Sequence, residues 1–209
     1  MQNLTFPHWL TLAREIQALS QTGITFSRDE YDLQRYQRLA EIAAEIVEHH
    51  STLQKEPLLE NFLLQPGYAT PKVDVRGAVM RDGKLLLVQE RSDGRWSMPG
   101  GWADVGDAPS EMVIREVREE SGFEVIARKV IGVYDANRAG IPLEFYHAYK
   151  IIFLCDIVGG TATPSHETLA VDFFDFDAMP PLSSPRTTQR HLTEIQAHLN
   201  EPNRPAAFD

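Results

Sequence analysis

The sequence has little cysteine and no long apolar run, and each absence narrows what the chain could be. One cysteine in 209 residues, Cys155, excludes an internal disulfide. It lies in the apolar run IIFLCDIV, so we predict a buried thiol, because a nucleophilic thiol needs an exposed setting that lowers its pKa. No apolar run approaches the roughly 18 residues that span a bilayer. The N-terminus carries no basic-then-apolar signal segment, so we expect a soluble, cytoplasmic protein with no membrane partner.

The chain also lacks an excess of positive charge. It holds 20 Lys and Arg against 30 Asp and Glu, a formal net charge of −10. Nucleic acids select basic patches, so we expect no nucleic-acid partner. A small phosphate-bearing substrate is not excluded, because a bound cation would supply the local positive charge. Hydrophobic residues make up 43% of the chain, enough for a buried core.

The pattern of apolar residues changes near residue 66. Before it, apolar residues recur at helical spacing and predict three helices, over 7–20, 27–48 and 58–64. Gly23 is interpreted as the stop of the first helix, and Ser27 with Glu30 as a capping box for the second. The second helix is apolar on two flanks, so it must pack against more than one neighbour. The candidates are the first helix, the following domain and a second copy of the chain.

After residue 66 the alternating pattern of strands dominates. We predict a hairpin over 73–90, a short strand over 96–99 and further strands over 125–135, 145–157 and 170–176. Helices are predicted over 110–121 and 186–200. Strands on both sides of one helix, with a closing helix, indicate an α/β domain in which a mixed sheet lies between helical layers.

The stretch from Pro99 to Phe123 carries the densest set of chemical side chains. Its sequence, PGGWADVGDAPSEMVIREVREESGF, joins a glycine pair to the predicted helix over 110–121. Residues three and four apart share a helix face, so Glu116, Glu119 and Glu120 crowd together. Hard divalent cations prefer such oxygen ligands and bridge them to substrate phosphates. On spacing alone, a solvated acidic helix face is the alternative.

The same stretch resembles the Nudix box, which reads Gly, five residues, Glu, seven residues, then Arg-Glu-apolar-any-Glu-Glu-any-Gly-apolar. Asp107 stands where that pattern has its first Glu, which keeps the charge and shortens the reach. The other positions match in register, namely Gly101, Arg115, Glu116, Val117, Glu119, Glu120, Gly122 and Phe123. The resemblance implies an α/β/α sandwich around a mixed sheet, and Mg²⁺ or Mn²⁺ as the cofactor of a hydrolase that acts on diphosphate bonds.

The resemblance and the helix geometry together suggest roles for the residues of the box. The metal ligands would be Glu116, Glu119, Glu120 and the carbonyl of Gly100. Supporting groups, which shape the loop or act through water, would be Gly101, Asp104 and Asp107. Arg115 is assigned to catalysis as the group that orients a ligating carboxylate, since it lies four residues before Glu119.

Outside the box the assignments rest on position. Our candidate for the general base is Glu167, which lies just before the last predicted strand, with His166 as the alternative. Arg76 and Arg91 are candidate phosphate ligands, or else surface charge partners in an acidic protein. Asp135 and Arg138, in the YDANRAG loop, are candidates for contact with the nucleotide or with the group X attached to it.

An N-terminal segment resembles the small domain that precedes the Nudix domain in one Nudix subgroup. Its sequence is WLTLAREIQALSQTGITFSRDEYDLQRYQRLAEIAAEIV. PKVDVRGAV, DGRWSMPGGWADVGDAPSE and PLSSPRTTQ also resemble that subgroup. The likeness implies a helical N-terminal domain over 1–66, which forms a homodimer and borders the substrate, and a Nudix hydrolase domain over 67–209. It further implies hydrolysis of X-linked nucleoside diphosphates, with CDP-choline first and ADP-ribose second.

Two other functions are considered beside this one. A house-cleaning nucleoside triphosphatase fits the box but not the N-terminal domain. A sensor that binds a nucleotide without cleaving it would be expected to lose box carboxylates or to add a basic DNA-binding domain. Here the box carboxylates are present and the N-terminal helices are not basic.

Overall fold

The computed structural model describes residues 7–139, 145–184 and 186–209. Its backbone divides into two units. The first contains the described residues of Met1–Pro71 and Pro142–His147, and the second those of Lys72–Ile141 and Ala148–Asp209. The sequence-based boundary at 66/67 stays a prediction. No helix within the described ranges is both long and apolar enough to cross a bilayer.

The first unit consists of three helices, α1 (His8–Phe26), α2 (Glu30–His50) and α3 (Lys55–Leu63). Its core is formed by small and apolar side chains from all three helices, closed by Phe145, whose ring lies 4.8 Å from that of Phe62. The buried side chains of α2 are those of Ala40, Ala43, Ala44 and Val47. The three predicted helices therefore exist, with shifted ends.

Two sequence-based expectations about these helices were wrong. Gly23 does not end α1, which continues to Phe26. A Cβ at Gly23 would lie 2.2 Å from Cδ1 of Tyr36, so this glycine lets α1 and α2 approach closely. Ser27 does not cap α2. Asp29 does, since its carboxylate accepts hydrogen bonds from the amide of Tyr31 at 2.9 Å and from that of Asp32 at 3.1 Å.

The described residues of the second unit form a mixed sheet of seven strands flanked by helices. In chain order they are β1 (Lys72–Arg81), β2 (Lys84–Glu90), β3 (Trp96–Ser97), β4 (Phe123–Asp135), β5 (Ala148–Gly160), β6 (Thr168–Phe174) and β7 (Ala207–Phe208). The sheet order is β3-β2-β1-β5-β4-β7, with β6 paired to β2. β1 and β5 are parallel, as are β4 and β7, and the other pairs are antiparallel. The predicted mixed sheet is confirmed.

Two helices cover the faces of this sheet. On one face α4 (Pro109–Ser121) packs Met112, Val113 and Val117 against Val75 and other side chains of β1, β2, β4 and β5. On the other face α5 (Gln189–Asn200) packs Leu192 and Ile195 into a second core. Alternation along the strands supplies both cores, as the side chains of a strand point to opposite faces. The result is the predicted α/β/α sandwich.

Some ends in this unit also differ from expectation. The strand predicted from 145 begins at Ala148, and Phe145 belongs to the core of the first unit. The helix predicted from 186 begins at Gln189, because Thr188 caps it and accepts a hydrogen bond from the amide of His191. Cys155 is buried as predicted, and burial raises the pKa of its thiol to about 12.

Candidate active site

The glycine loop, residues Pro99–Ala103, lies along the edge of β1 like an extra strand. The amides of Gly77 and Val75 donate to the carbonyls of Pro99 and Gly101, both at 2.9 Å, and Ala103 donates back to Val73 at 2.8 Å. Gly100 has φ +141°, and a Cβ there would lie 2.0 Å from the carbonyl oxygen of Val75. Only glycine fits at this position, because any side chain would collide with backbone.

Helix α4 follows this loop and is anchored at both ends. Pro109 occupies its first turn, where a missing N–H costs nothing. Gly122 ends it in the left-handed conformation with φ +77°, and its amide donates to the carbonyl of Arg118 at 2.9 Å. Glu120 is only 7% exposed, and its Oε2 accepts a hydrogen bond from the amide of Gly100 at 2.9 Å. Loop and helix are thus joined at a carboxylate.

Five carboxylates are linked by electrostatic interactions and are called the carboxylate cluster below: Glu116 interacts with Glu119, Glu167 and Glu120, and Glu120 also interacts with Glu90. Burial raises the pKa of Glu120 to about 7, against the opposing charge of Arg76, and Glu90 and Glu116 add to the rise. Burial also raises the pKa of Glu116, to which Glu119 and Glu167 contribute. The predicted candidates of α4 and Glu167 are therefore brought together in one negative site.

The donor set of this cluster suits a hard divalent cation. It offers only carboxylate oxygens, and the pKa values of Glu116 and Glu120 are raised first by burial and then by neighbouring carboxylates, both of which a bound cation would offset. As the side chains stand, no three His, Cys, Asp or Glu residues in the described ranges converge enough to hold a metal ion. Glu119 is turned toward Arg118, 3.9 Å away, and is more than half exposed, so it can change rotamer readily. The ligand assignment stays a prediction.

Arg115 connects α4 to the loop before it. Its guanidinium lies 2.6 Å from a carboxylate oxygen of Asp104 and 2.6 Å from one of Asp107. Asp107 therefore reaches Arg115 although it is shorter than the Glu of the box pattern. The bond to Asp104, and then the charges of Asp107, Asp104 and Glu119, raise the pKa of Arg115 above its ordinary value. These contacts fix the loop against the helix that carries the cluster.

Glu167 lies in the loop before β6, and Arg91 holds that loop. The amide of Arg91 donates to the carbonyl of Glu167 at 3.0 Å, and its Nε donates to the carbonyl of His166 at 2.8 Å. The two base candidates contact each other, with His166 Nε2 3.1 Å from Glu167 Oε1. Glu167 is exposed and charge-coupled to Glu116, which is compatible with a general base. The roles of Arg91 and Glu167 toward substrate stay predictions.

Arg76 is not a surface charge partner, because it is only 4% exposed. Its Nε and Nη2 donate to Asp74 at 3.1 and 2.8 Å, and its Nη1 donates to the carbonyl of Met98 at 3.2 Å. Lys150 donates to the same Asp74 at 2.7 Å. Sequence reasoning missed Asp74 and Lys150. A signal existed in KVDVRGAV, where alternation puts three charged residues, Lys72, Asp74 and Arg76, on one face of an otherwise apolar strand.

Asp135 lies at the end of β4, where its carboxylate accepts a hydrogen bond from the amide of Asn137 at 2.9 Å. Arg138 belongs to the short 3-10 turn Ala136–Ala139 that follows, and its side chain lies outside the part that the structure describes. Contact of either residue with substrate stays a prediction.

A second set of polar contacts, also missed from sequence, fixes β3 before the glycine loop. The amide of Met98 donates to Oγ1 of Thr187 at 2.8 Å, and both residues are buried. Ser97 donates to Glu90 at 2.5 Å, and Arg186 lies 3.3 Å from the same carboxylate oxygen. The segment before α5 therefore holds both β3 and a member of the carboxylate cluster.

Two family models match this chain. Residues 7–62 match a family model described as a UDP-X-like, N-terminal oligomerisation domain, and residues 71–194 match the NUDIX domain. The Bacillus subtilis (strain 168) protein YjhB, provisionally named an ADP-ribose pyrophosphatase, is 38% identical over 96% of this chain and 97% of its own length.

Two solved structures are also similar. A UDP-X diphosphatase is 29% identical with a TM-score of 0.63, over 96% of this chain and 98% of that one. An ADP-ribose pyrophosphatase from Streptococcus suis 89-1591 is 37% identical with a TM-score of 0.61, over 67% of this chain and 100% of that one.

Proposed function

This chain belongs to the NUDIX family of hydrolases, which act on diphosphate bonds, and we propose that it hydrolyses X-linked nucleoside diphosphates with the help of a divalent cation. The products would be a nucleoside monophosphate and a phosphorylated X. The observation that carries this proposal is the hydrogen bond between the amide of Gly100 and Glu120, which joins the glycine loop to the carboxylate cluster.

The chemistry follows from charge. A diphosphate is slow to hydrolyse because its oxygens repel a nucleophile and its leaving group needs charge relief. Bound Mg²⁺ or Mn²⁺ would supply that relief and lower the pKa of a water. Glu116, Glu119 and Glu120, with the carbonyl of Gly100, would hold the cation. The ion pairs of Arg115 with Asp104 and Asp107 would hold the loop in a fixed position relative to the helix that carries the metal ligands. Gly101 leaves space for Glu116, whose Oε2 would lie 3.1 Å from an added Cβ.

We place ADP-ribose first among the substrates and CDP-choline second, which reverses the order suggested by sequence alone. The reason is that one relative over nearly the whole chain, and one solved structure, carry the name ADP-ribose pyrophosphatase. The UDP-X diphosphatase neighbour supports the broader class of X-linked nucleoside diphosphates. The test is kcat/KM with Mg²⁺ for ADP-ribose, CDP-choline, UDP-glucose and the common nucleoside triphosphates. A nucleoside triphosphate as the best substrate would overturn the proposal.

Glu167→Gln is expected to lower kcat by about 10²- to 10⁴-fold and to flatten the rising limb of the pH–rate profile, because an amide cannot accept the proton of the attacking water. The measurement is kcat between pH 5 and 9 at saturating substrate and Mg²⁺. His166→Gln is the matched control one residue away. Should His166→Gln flatten the profile while Glu167→Gln leaves it unchanged, the base would be His166.

We further propose that the chain forms a homodimer through its N-terminal helices. The matching model over 7–62 is described as an oligomerisation domain. Leu12, Leu19 and Phe26, spaced by seven residues along α1, are 41%, 57% and 65% exposed. Leu19 and Phe26 line an open groove of about 600 Å³ together with Tyr36 and Tyr68. A second copy that covers this apolar stripe would remove it from water.

Leu19→Glu is expected to convert the dimer to a monomer, since it would place a charge in the covered stripe. Size-exclusion chromatography with light scattering at micromolar protein gives the mass. Leu169→Glu, at a similarly exposed leucine on β6, is the control and should stay dimeric. A wild-type monomer, or a dimeric Leu19→Glu protein, would contradict this assignment of the interface.

A further inference from the structure

A triad of charged side chains lies buried beneath the glycine loop. Asp74 and Arg76 on β1 and Lys150 on β5 are 5%, 4% and 3% exposed. The parallel register of the two strands pairs Asp74 with Lys150 directly. Oδ1 of Asp74 accepts from Lys150 at 2.7 Å and from Nε of Arg76 at 3.1 Å, while Oδ2 accepts from Nη2 of Arg76 at 2.8 Å. Both carboxylate oxygens of Asp74 thus accept hydrogen bonds from one edge of the Arg76 guanidinium.

The triad carries more positive than negative charge, which is costly inside a protein. Burial lowers the pKa of Lys150 to about 8, so the amine is still mainly charged at neutral pH. His191, which faces the triad from α5, adds no charge, because burial and then Lys150 lower its pKa to about 3. Burial also acts to lower the pKa of Arg76, but Asp74 outweighs it, and Glu120 and Glu90 raise it further. The surplus charge is therefore balanced by the carboxylate cluster.

The guanidinium of Arg76 also reaches the loop itself. Its Nη1 donates to the carbonyl of Met98 at 3.2 Å, two residues before Gly100. Gly100 in turn donates to Glu120, and its Cα leaves no room for a side chain against Val75 and Arg76. A continuous set of contacts runs from Lys150 through Asp74 and Arg76 to Met98, and from there along the backbone to Gly100 and Glu120.

We propose that Asp74 is a positioning residue that, held by Lys150, fixes the Arg76 guanidinium under the glycine loop and so keeps Gly100 and Glu120 in the geometry that binds the divalent cation. This inference rests on the proposed function, since it presupposes a cation at the carboxylate cluster. It assigns to Arg76 a structural task at the site, in place of the contact with substrate phosphate that position suggested. Well-packed apolar residues of similar volume often stabilise a core as well as a buried ion triad does, so stability alone is a weak reason for this triad.

The test uses Mn²⁺ binding to the full-length, metal-free protein without substrate, by calorimetry or by the paramagnetic signal of free Mn²⁺. In Asp74→Asn the amide nitrogen cannot accept a hydrogen bond from Nη2 of Arg76, so the guanidinium keeps only one of its two hydrogen bonds to residue 74. We expect the Kd for Mn²⁺ to rise at least 10-fold, as for other groups that orient metal ligands. Asp156→Asn, at an exposed carboxylate on β5 paired with Arg128, is the control and should bind as wild type.

Two further variants separate position from charge. Asp74→Asn with Lys150→Met keeps the net charge of the triad, and Arg76→Lys keeps its charge but cannot bridge Asp74 and the carbonyl of Met98. Positioning predicts that both bind Mn²⁺ at least 10-fold more weakly. Recovery of wild-type affinity in either variant would mean that only charge matters and would overturn the inference. So would a lower Tm with unchanged Kd, which marks a purely structural role. Wild-type protein that binds no Mn²⁺ would refute the proposed function instead.

Discussion

Glu120→Gln is expected to lower kcat by about 10³-fold or more while the protein keeps its fold. The glutamine oxygen can still accept the hydrogen bond from the amide of Gly100, so the glycine loop stays in place. What disappears is the negative charge that a divalent cation needs at a buried position of the carboxylate cluster. The measurement is kcat at saturating substrate and Mg²⁺. Glu124→Gln, at an exposed carboxylate just beyond α4, is the control.

For the same variant we expect a gain in stability when no metal is bound, in contrast to the loss of activity. The folded protein holds the pKa of Glu120 near 7 against an ordinary 4.5, so ionisation costs stability as pH rises from about 4.5 to 7, and the whole cost is present above pH 7. Metal-free Glu120→Gln should therefore have a higher free energy of unfolding than the wild type at pH 8, by about 3 kcal/mol, and lose that advantage by pH 5. Near-normal turnover in such a folded variant would contradict the ligand assignment.

Gly100→Ala is expected to abolish measurable turnover and to lower the free energy of unfolding by roughly 3 kcal/mol or more. Its Cβ would lie 2.0 Å from the carbonyl oxygen of Val75 and 2.9 Å from Cα of Arg76, both of which belong to a central strand that cannot move aside. The loop would have to move away from β1, and the hydrogen bond from the amide of residue 100 to Glu120 would be lost.

Gly106→Ala is the matched control for that prediction. Gly106 also has a positive φ, +103°, but no atom lies within 4 Å of its added Cβ. It should show only the cost of backbone strain, about 1 kcal/mol, and retain activity. The measurements are thermal unfolding and kcat side by side. Equal behaviour of the two variants would mean that the close approach of Gly100 to β1 has no part in catalysis.

Short-range patterns were sufficient to predict the helix that carries the site. The spacing of Arg115, Glu116, Glu119 and Glu120 is a property of one helix, and the helix ends at Gly122 for a reason visible in the sequence. The hairpin predicted over 73–90 likewise matches β1 and β2 to within one residue at its outer ends, since their apolar runs flank the turn signal Arg81-Asp82-Gly83. These features depend on residues within a few positions of one another.

Contacts between distant parts of the chain could not be predicted in this way. Asp74 and Lys150 are 76 residues apart, and Thr187 lies 89 residues from Met98. Each pair meets only through the register of the sheet or the path of a loop, which one sequence does not specify. Gly23 shows the same limit at a helix, because its role depends on Tyr36 of the next helix and not on its neighbours in α1.

The most direct test of the central claim is the metal-dependent release of a nucleoside monophosphate. Purified protein is incubated with ADP-ribose, CDP-choline or UDP-glucose in the presence of Mg²⁺, Mn²⁺ or EDTA, and the products are separated by chromatography. The proposal predicts equal amounts of nucleoside monophosphate and phosphorylated X from at least one of them, only with a cation and not with Glu120→Gln. Hydrolysis that persists in EDTA, or tight nucleotide binding with no monophosphate from any of the three, would contradict it.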